Sequence, residues 1–557
     1  MTNLVARKEC SAEETIKKIK SILNNLGIET DIVLKNKSGD DIYSCRLVIK
    51  GTSIGTNGKG VTEELSLASA YAEFMERLQT IYLFGSVNGK SGINIEVKES
   101  HINANNSVKI LDNLKKYFRS SFDFANDDEA IKIIQETGNR VLPGEYFHVQ
   151  SKKIVSLPTL EIGRMCGSNG LCAGNTSYEA ICQGICELFE RMAYRTISIK
   201  ELSCPTIPRE YYIHTNSMKQ ISYIEKRGFK IIVKDMTLGG KFPVVGAIIL
   251  SPSKKRIKFS AGSDINFDIA LQRCLTEVLQ GRELSGFFST EMQDVYTYQK
   301  WNENFYFKDD YKIKELQKAF HNGSGDIPLG FIYSAENFIN TNLSVFNNDK
   351  ISNQTAYKEL INILNNNRMD LYIRDYSVFG FPTFRVFIPN ESVLFASMKN
   401  VFEIDKLYTK IRELSFDEKN LQEITSLLHQ MNEVMNIPNE ISTSSILGNI
   451  SIEGDLDDSR WFEVLLYIYQ NKFDSAYKMY KRYFENEHIS KEILTYLLSL
   501  KNKNEKIFKQ FCLDTDNQIV LDKIRKIEKD IENISYIING FNKNTEIDDS
   551  LINNYPS

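Results

Sequence analysis

A chain of 557 residues is longer than one hydrophobic core usually organises, so more than one domain is expected. Its 42% hydrophobic and 25% charged residues describe a globular chain, and a formal net charge of −4 offers no electrostatic basis for binding nucleic acid or an anionic membrane. No run approaches a membrane span, the first residues lack the apolar core of a signal peptide, and the nine cysteines are too scattered for a disulfide framework, so a cytoplasmic protein with reduced thiols is expected.

The chain opens with a capping box, Ser11-x-x-Glu14, followed by Ile16, Ile19, Leu23 and Leu26 at helical spacing and a stop at Gly27. "TDIVL" (30–34) and "IYSCRLVI" (42–49) predict strands joined by a Gly-Asp turn at 39–40. "GTNGKG" (55–60) reads as a glycine-rich turn into a helix. Residues 95–150 are rich in Asn and Lys and predict an insertion or peripheral elements. Strand and helix patterns alternate over 160–290, residues 290–360 read as polar and irregular, and a strand pair closes the region near 390. Beyond about 395 strand patterns vanish. Val520, Ile524, Ile527, Ile531, Ile534 and Ile538 repeat in the steps of a coiled-coil-like seam, and "RWFEVLLYIYQ", "FDSAYKMYKRYF" and "KEILTYLLSL" are helical. The expectation is a mixed α+β domain over 1–395 made of two related α/β halves, then an all-helical domain over 396–557, conceivably tetratricopeptide-like. The apolar seam points to a homodimer.

Two internal echoes motivate the halves. "TNGKGVTEELSLASAYAEFMER" (56–77) resembles "SNGLCAGNTSYEAICQGICELFER" (168–191), and "DMTLGGKFPVVGAIILSP" (235–252) resembles "DYSVFGFPTFRVFIPN" (375–390). In the first pair an Asn-Gly turn leads to a helix ending in Glu-x-x-Glu-Arg. Ser69, Glu73, Glu76 and Thr80 stack along one helical stripe, opposite Leu67, Tyr71, Phe74, Leu78 and Ile81. Glu179, Gln183, Glu187 and Glu190 form the matching stripe, with Asn175 or Thr176 as cap. A third helix, in "SAGSDINFDIALQRCLTEVLQGRELSG" (260–286), places Arg273, Glu277 and Gln280 in 4-3 steps.

A single Glu-x-x-Glu-Arg is ordinary for a solvated helix face. Three matched acidic stripes are a different case, because five converging carboxylates repel one another unless cations neutralise them. All-oxygen donors favour a hard ion such as Mg²⁺, and the six histidines form no ligand pattern. Carboxylates, arginines and Mg²⁺ suit a nucleoside triphosphate. "GTNGKG" departs from the phosphate loop G-x-x-x-x-G-K-[ST], yet Lys59 is a candidate phosphate contact.

The three blocks together closely resemble the YcaO proteins, a family of ATP-dependent enzymes, in order, spacing and wording over most of 1–395. The resemblance implies ATP and Mg²⁺ as cofactors. It implies nucleotide contacts at Lys8, Thr15, Ser69, Asn175, Glu179, Arg191, Arg273 and Gln280, and metal binding by Glu73, Glu76, Glu187, Glu190 and Glu277, with no catalytic residue assigned. The family activates a backbone amide oxygen with ATP, giving azolines, thioamides or amidines. A stand-alone bacterial member is linked instead to β-methylthiolation of a small-subunit ribosomal protein, as accessory to a radical methylthiotransferase. The last residues, "LINNYPS", lack the proline-rich tail of azoline-forming members, so the accessory role is expected first and peptide modification second. A nucleotide-binding scaffold acting through the helical domain is the third reading. A protein or peptide substrate is expected in either enzymatic case.

Overall fold

The computed structural model describes residues 7–39, 42–52, 54–80, 104–136, 143–200, 202–251, 256–278, 293–294, 337–393, 398–435, 458–484, 490–514 and 518–540. The chain divides near residue 399 into two compact units.

The first unit carries three sheets. Helix α1 (Ala12–Asn25) begins at the expected capping box, with Ser11 Oγ accepting from Glu14 N–H and Glu14 returning the bond to Ser11 N–H. Strands β1 (Thr30–Gly39), β2 (Ile42–Ile49) and β3 (Gly55–Gly60) form an antiparallel sheet that leads into α2 (Glu63–Gln79). "GTNGKG" is therefore a strand and not a turn. Its glycines let it lie almost in contact with α2: a Cβ on Gly58 would sit 2.0 Å from Ser66 O and 2.5 Å from Ala70 N. The Asn- and Lys-rich stretch forms α3 (Ala104–Tyr117) and α4 (Asp127–Glu136).

The second sheet, order β5-β4-β11-β12-β6, joins β4 (Pro143–His148), β5 (Lys153–Pro158), β6 (Leu171–Ala173), β11 (Tyr372–Asp375) and β12 (Thr383–Phe387). After the short α5 (Thr159–Cys166), β6 feeds α6 (Ser177–Lys200), whose Ile181, Ile185, Leu188 and Met192 are buried in the main core. The third sheet, order β10-β9-β8-β7, holds β7 (Lys230–Asp235), β8 (Val244–Ser251), β9 (Arg256–Ser263) and β10 (Gln293–Asp294). Here α7 (Met218–Glu225) precedes β7, and β9 feeds α8 (Phe267–Val278). The second echo corresponds to two hairpins, β7–β8 and β11–β12. Asp235 and Asp375 each accept from the N–H two residues on, Thr237 and Ser377, which fixes the turn. Within this mixed α/β unit three strand-to-helix units, β3–α2, β6–α6 and β9–α8, supply the three helices that the sequence marks with acidic stripes. The reading of 290–360 as irregular fails at α9 (Asn353–Asn366), capped by Ser352 and packed on α6.

The described residues of the second unit form α10 (Met398–Glu413, from Asn400 onward), α11 (Leu421–Met435), α12 (Ser459–Tyr469), α13 (Phe473–Phe484), α14 (Ser490–Lys501), α15 (Glu505–Asp514) and α16 (Gln518–Gly540). Successive helices pack on one another, and α16 returns to pack on α12 and α14. An open solenoid touches only its neighbours, so this closure departs from a simple repeat. Val520, Ile524, Ile527 and Ile534 of the seam are buried inside this unit's own core. Ile531 packs partly buried against the same core and the Ile538 side chain lies outside the described residues, so four of the six seam residues that argued for a dimer are buried within the chain.

Two outcomes follow from this packing. A Cβ at Gly262 on β9 would lie 2.3 Å from Ala270 O and 2.9 Å from Cys274 N of α8. Gly262→Ala is expected to lower stability by about 1–3 kcal/mol in urea titration, and an unchanged midpoint contradicts this close approach. Lys234 on β7 is fully buried, donates to Cys204 O and Thr206 Oγ1 at 3.0 Å each, and is pulled down to about 8 by burial. Unfolded lysine titrates near about 10.4, so between these values the unfolded chain holds the extra proton, and the Lys234 contribution makes stability rise with pH. Lys234→Met is expected to flatten that rise between pH about 8 and 10. A slope equal to wild type contradicts it.

Candidate functional site

A cavity of about 330 Å³ opens between α2, α6 and α8, with the segment before α1 and the strand β3 completing its walls. Each wall comes from the face that the stripes predict. From α2 come Ser69, Glu73 and Glu76, joined by Arg77 one position on. From α6 come Glu179, Gln183, Glu187, Glu190 and Arg191, and from α8 Arg273 and Glu277. Lys8, Thr15, Lys59 and Asn175 also line it. Every expected site residue therefore faces one space except Gln280, which lies outside the described residues.

The opposite face of each helix explains why. Tyr71, Phe74 and Leu78 are buried beneath α2, and Ile185, Leu188 and Phe189 beneath α6, so the acidic stripes have only the cavity to face. The far end of α2 is pinned: Gln79 Nε2 donates to Phe381 O at 2.8 Å and to Thr383 Oγ1 at 2.6 Å, while Phe379 N–H donates to Gln79 Oε1 at 2.9 Å. This brings Phe381 into the wall, a residue that the sequence marks only as part of the second echo and not as a site residue. Along α2 the wall passes from apolar Leu65, Ala68 and Ala72 to Glu73, Glu76 and Arg77. Such a gradient suits a ligand with an apolar or aromatic end and an anionic end.

The charges are dense. Arg77 lies 3.5 Å from Glu73 Oε1 through Nη2 and 3.6 Å from Glu76 Oε1 through Nε, Arg191 Nε is 4.0 Å from Glu190 Oε1, and Lys59 pairs with Glu277. At these separations the arginines balance part of the acids' charge. Glu76 is 7% exposed, and burial pushes its carboxyl up to about 8; Arg77 opposes this and the neighbouring Glu73 and Glu187 add to it. Burial likewise raises Glu187, opposed by Arg191 and reinforced by Glu190. Lys59 is drawn down to about 8, first by burial and then by Arg273, and its side chain lines the cavity.

Tested against a hard divalent ion, the donor set fits by type, since the acids offer only carboxylate oxygens. Among the described residues no three of them are gathered on one point, and Glu73, Glu76, Glu190 and Glu277 each lie beside an arginine or lysine. At the rim, Thr176 Oγ1 accepts from Glu179 N–H at 3.2 Å and so caps α6, which resolves the choice of cap. Asn175 is left to accept from Thr15 Oγ1 at 3.0 Å and to donate to Glu179 at 3.4 Å. Glu179 further accepts from Lys8 Nζ and from Glu9 N–H, each at 3.0 Å.

Residues 57–392 match a family model described as YcaO cyclodehydratase, ATP- and Mg²⁺-binding. The ribosomal protein S12 methylthiotransferase accessory factor YcaO of Escherichia coli is 28% identical over 450 residues, covering 76% of this chain and 73% of that protein. Among solved structures, YcaO from Methanopyrus kandleri bound with AMPPCP and Mg²⁺ shares 14% identity at a TM-score of 0.44, covering 70% of this chain and 93% of that one. A heterocyclase in complex with substrate and cofactor shares 15% identity at a TM-score of 0.43, covering 69% of this chain and only about half, 53%, of that one. With a match spanning more than half its length, this chain belongs to the YcaO family of ATP- and Mg²⁺-binding proteins.

Proposed function

We propose that residues 1–395 form an Mg²⁺-dependent ATP-using domain, that 396–557 form a helical domain attached to it, and that the protein is an accessory factor for β-methylthiolation of a small-subunit ribosomal protein. The observation that carries the ATP reading is the single cavity into which three helices direct five glutamates and three arginines, beside Lys59. The printed name of the Escherichia coli relative supports the accessory role.

In this reading Glu73, Glu76, Glu187, Glu190 and Glu277 hold Mg²⁺. Lys8, Thr15, Ser69, Asn175, Glu179, Arg191 and Arg273 hold the nucleotide, with Gln280 as a further contact outside the described residues. Mg²⁺, when bound, would supply positive charge to the phosphates. The chain's own part is electrostatic and positional. Arg191 and Arg273 would neutralise phosphate charge, Lys59 adds a cation at the strand end, and Leu65, Ala68 and Phe381 keep water from the apolar side. The group activated is an amide oxygen of a protein or peptide, which forms a new P–O bond as a phosphoanhydride bond of ATP breaks and the remainder of the nucleotide leaves. A radical methylthiotransferase is the partner on this account, and the cytoplasm its setting. Self-association is tested by light scattering of the full chain, which gives a monomer if the buried seam was its only cause.

A second reading is ATP-dependent azoline or thioamide formation in a ribosomally made peptide, and the cyclodehydratase description of the family model favours it. A scaffold that binds nucleotide without turnover is the third. Glu76→Gln and Glu190→Gln keep shape and remove charge. Each is expected to retain the circular dichroism of the fold while lowering Mg²⁺-dependent ATP hydrolysis by about 10²-fold or more. Wild-type turnover in both variants removes these residues from the site, and no turnover in wild type favours the scaffold.

A further inference from the structure

Arg7 to Cys10 runs along the rim of the cavity, remote in sequence from everything that holds it. Arg7 forms a two-point ion pair with Asp264 at the end of the third sheet, Nη1 to Oδ1 at 2.7 Å and Nη2 to Oδ2 at 2.8 Å. Asn353, the first residue of α9, is 3% exposed, and its Nδ2 donates to Arg7 O and to Glu9 Oε1, both at 2.7 Å. Both acceptors are oxygens that cannot donate, so the amide orientation is fixed by chemistry. Asn353 O in turn accepts from Cys182 Sγ of α6 at 3.4 Å, tying this anchor to the helix that carries Glu179, Glu187 and Glu190. Between the two anchors, Lys8 Nζ and Glu9 N–H reach the two oxygens of Glu179.

We propose that Asn353, with Asp264, is a positioning residue of the nucleotide site: it locks the Arg7–Glu9 strap so that Lys8 and the Glu9 amide are already set on Glu179 when the ligand arrives. The proposal rests on the ATP reading of the cavity. Ordering a charged terminal segment is costly, and a strap fastened by buried hydrogen bonds has met that cost before binding. The contribution of Asn353 is its two donated hydrogen bonds and not its volume. Asn353→Asp preserves shape but turns a carboxylate toward the Glu9 carboxylate and a carbonyl oxygen, so it is expected to be at least as harmful as Asn353→Ala.

The test has two readouts on the full chain. Hydrogen exchange at the Glu9 amide, whose partner is Glu179, is expected to speed up about 10-fold or more in both Asn353 variants. Calorimetric binding of AMPPCP with Mg²⁺ is expected to weaken about 10-fold in Asn353→Ala and in Lys8→Ala, with the double variant no weaker than the weaker single one, because both remove the same set contact. KM for ATP rises while kcat at saturation is retained. Unchanged exchange at Glu9, additive losses in the double variant, or wild-type behaviour of Asn353→Asp overturns the proposal. Nucleotide binding absent from wild type, with exchange still responding to Asn353, sinks the ATP reading and leaves the strap's fastening intact.

Discussion

Five glutamate side chains share a cavity of about 330 Å³ in which water cannot screen them fully, and the remaining features of the catalytic unit answer to that constraint. Like charges so placed must be protonated, paired with cations or bound to metal. The protein draws on the first two. Burial holds Glu76 up near 8, and Arg77, Arg191 and Lys59 take the neighbouring carboxylates. A polyanion and a divalent cation entering together would each meet groups of opposite charge already present in the wall.

Bringing three helices close enough to crowd those charges requires strands without side chains at the contacts. Gly58 lies against the backbone of α2 and Gly262 against that of α8, at distances that exclude any Cβ. Gly184 serves α6 in the same way from the helix side, where a Cβ would meet Cys172 and Val386 at 2.8 Å. Gly58, which the sequence reads as part of a turn, is thus one of the residues that allow close strand-to-helix packing. In the helical unit a comparable role falls to a buried carboxylate: Glu463 of α12, fully enclosed, accepts from Asn432 and His429 of α11 and Tyr483 of α13, and these directional bonds set the register of three helices.

Much of this was legible beforehand, for reasons that differ by feature. The acidic stripes were readable because helical periodicity converts spacing into a shared face, and the buried Tyr71, Phe74 and Leu78 opposite them leave no other orientation. The capping box and the Asx turns at Asp235 and Asp375 were readable because they are local. What stayed hidden depends on long-range contact. Phe381 joins the cavity only because Gln79 holds its backbone from 302 residues away in sequence. Asn353 sits in a segment whose polarity resembles a loop, and nothing local reveals its bonds to Arg7 and Glu9. The isoleucine seam was identified correctly as apolar, but its periodicity could not distinguish a partner chain from the unit's own α12 and α14.

The central claim is that this cavity accepts nucleotide and divalent cation as one ligand, each relieving the charge imposed by the other. Calorimetric titration of the full chain with AMPPCP, with and without Mg²⁺, tests it most directly. The account predicts one nucleotide per chain and binding at least about 10-fold tighter when Mg²⁺ is present, a linkage of about 1.4 kcal/mol or more. Equal affinity with and without Mg²⁺, or no binding in either case, contradicts it.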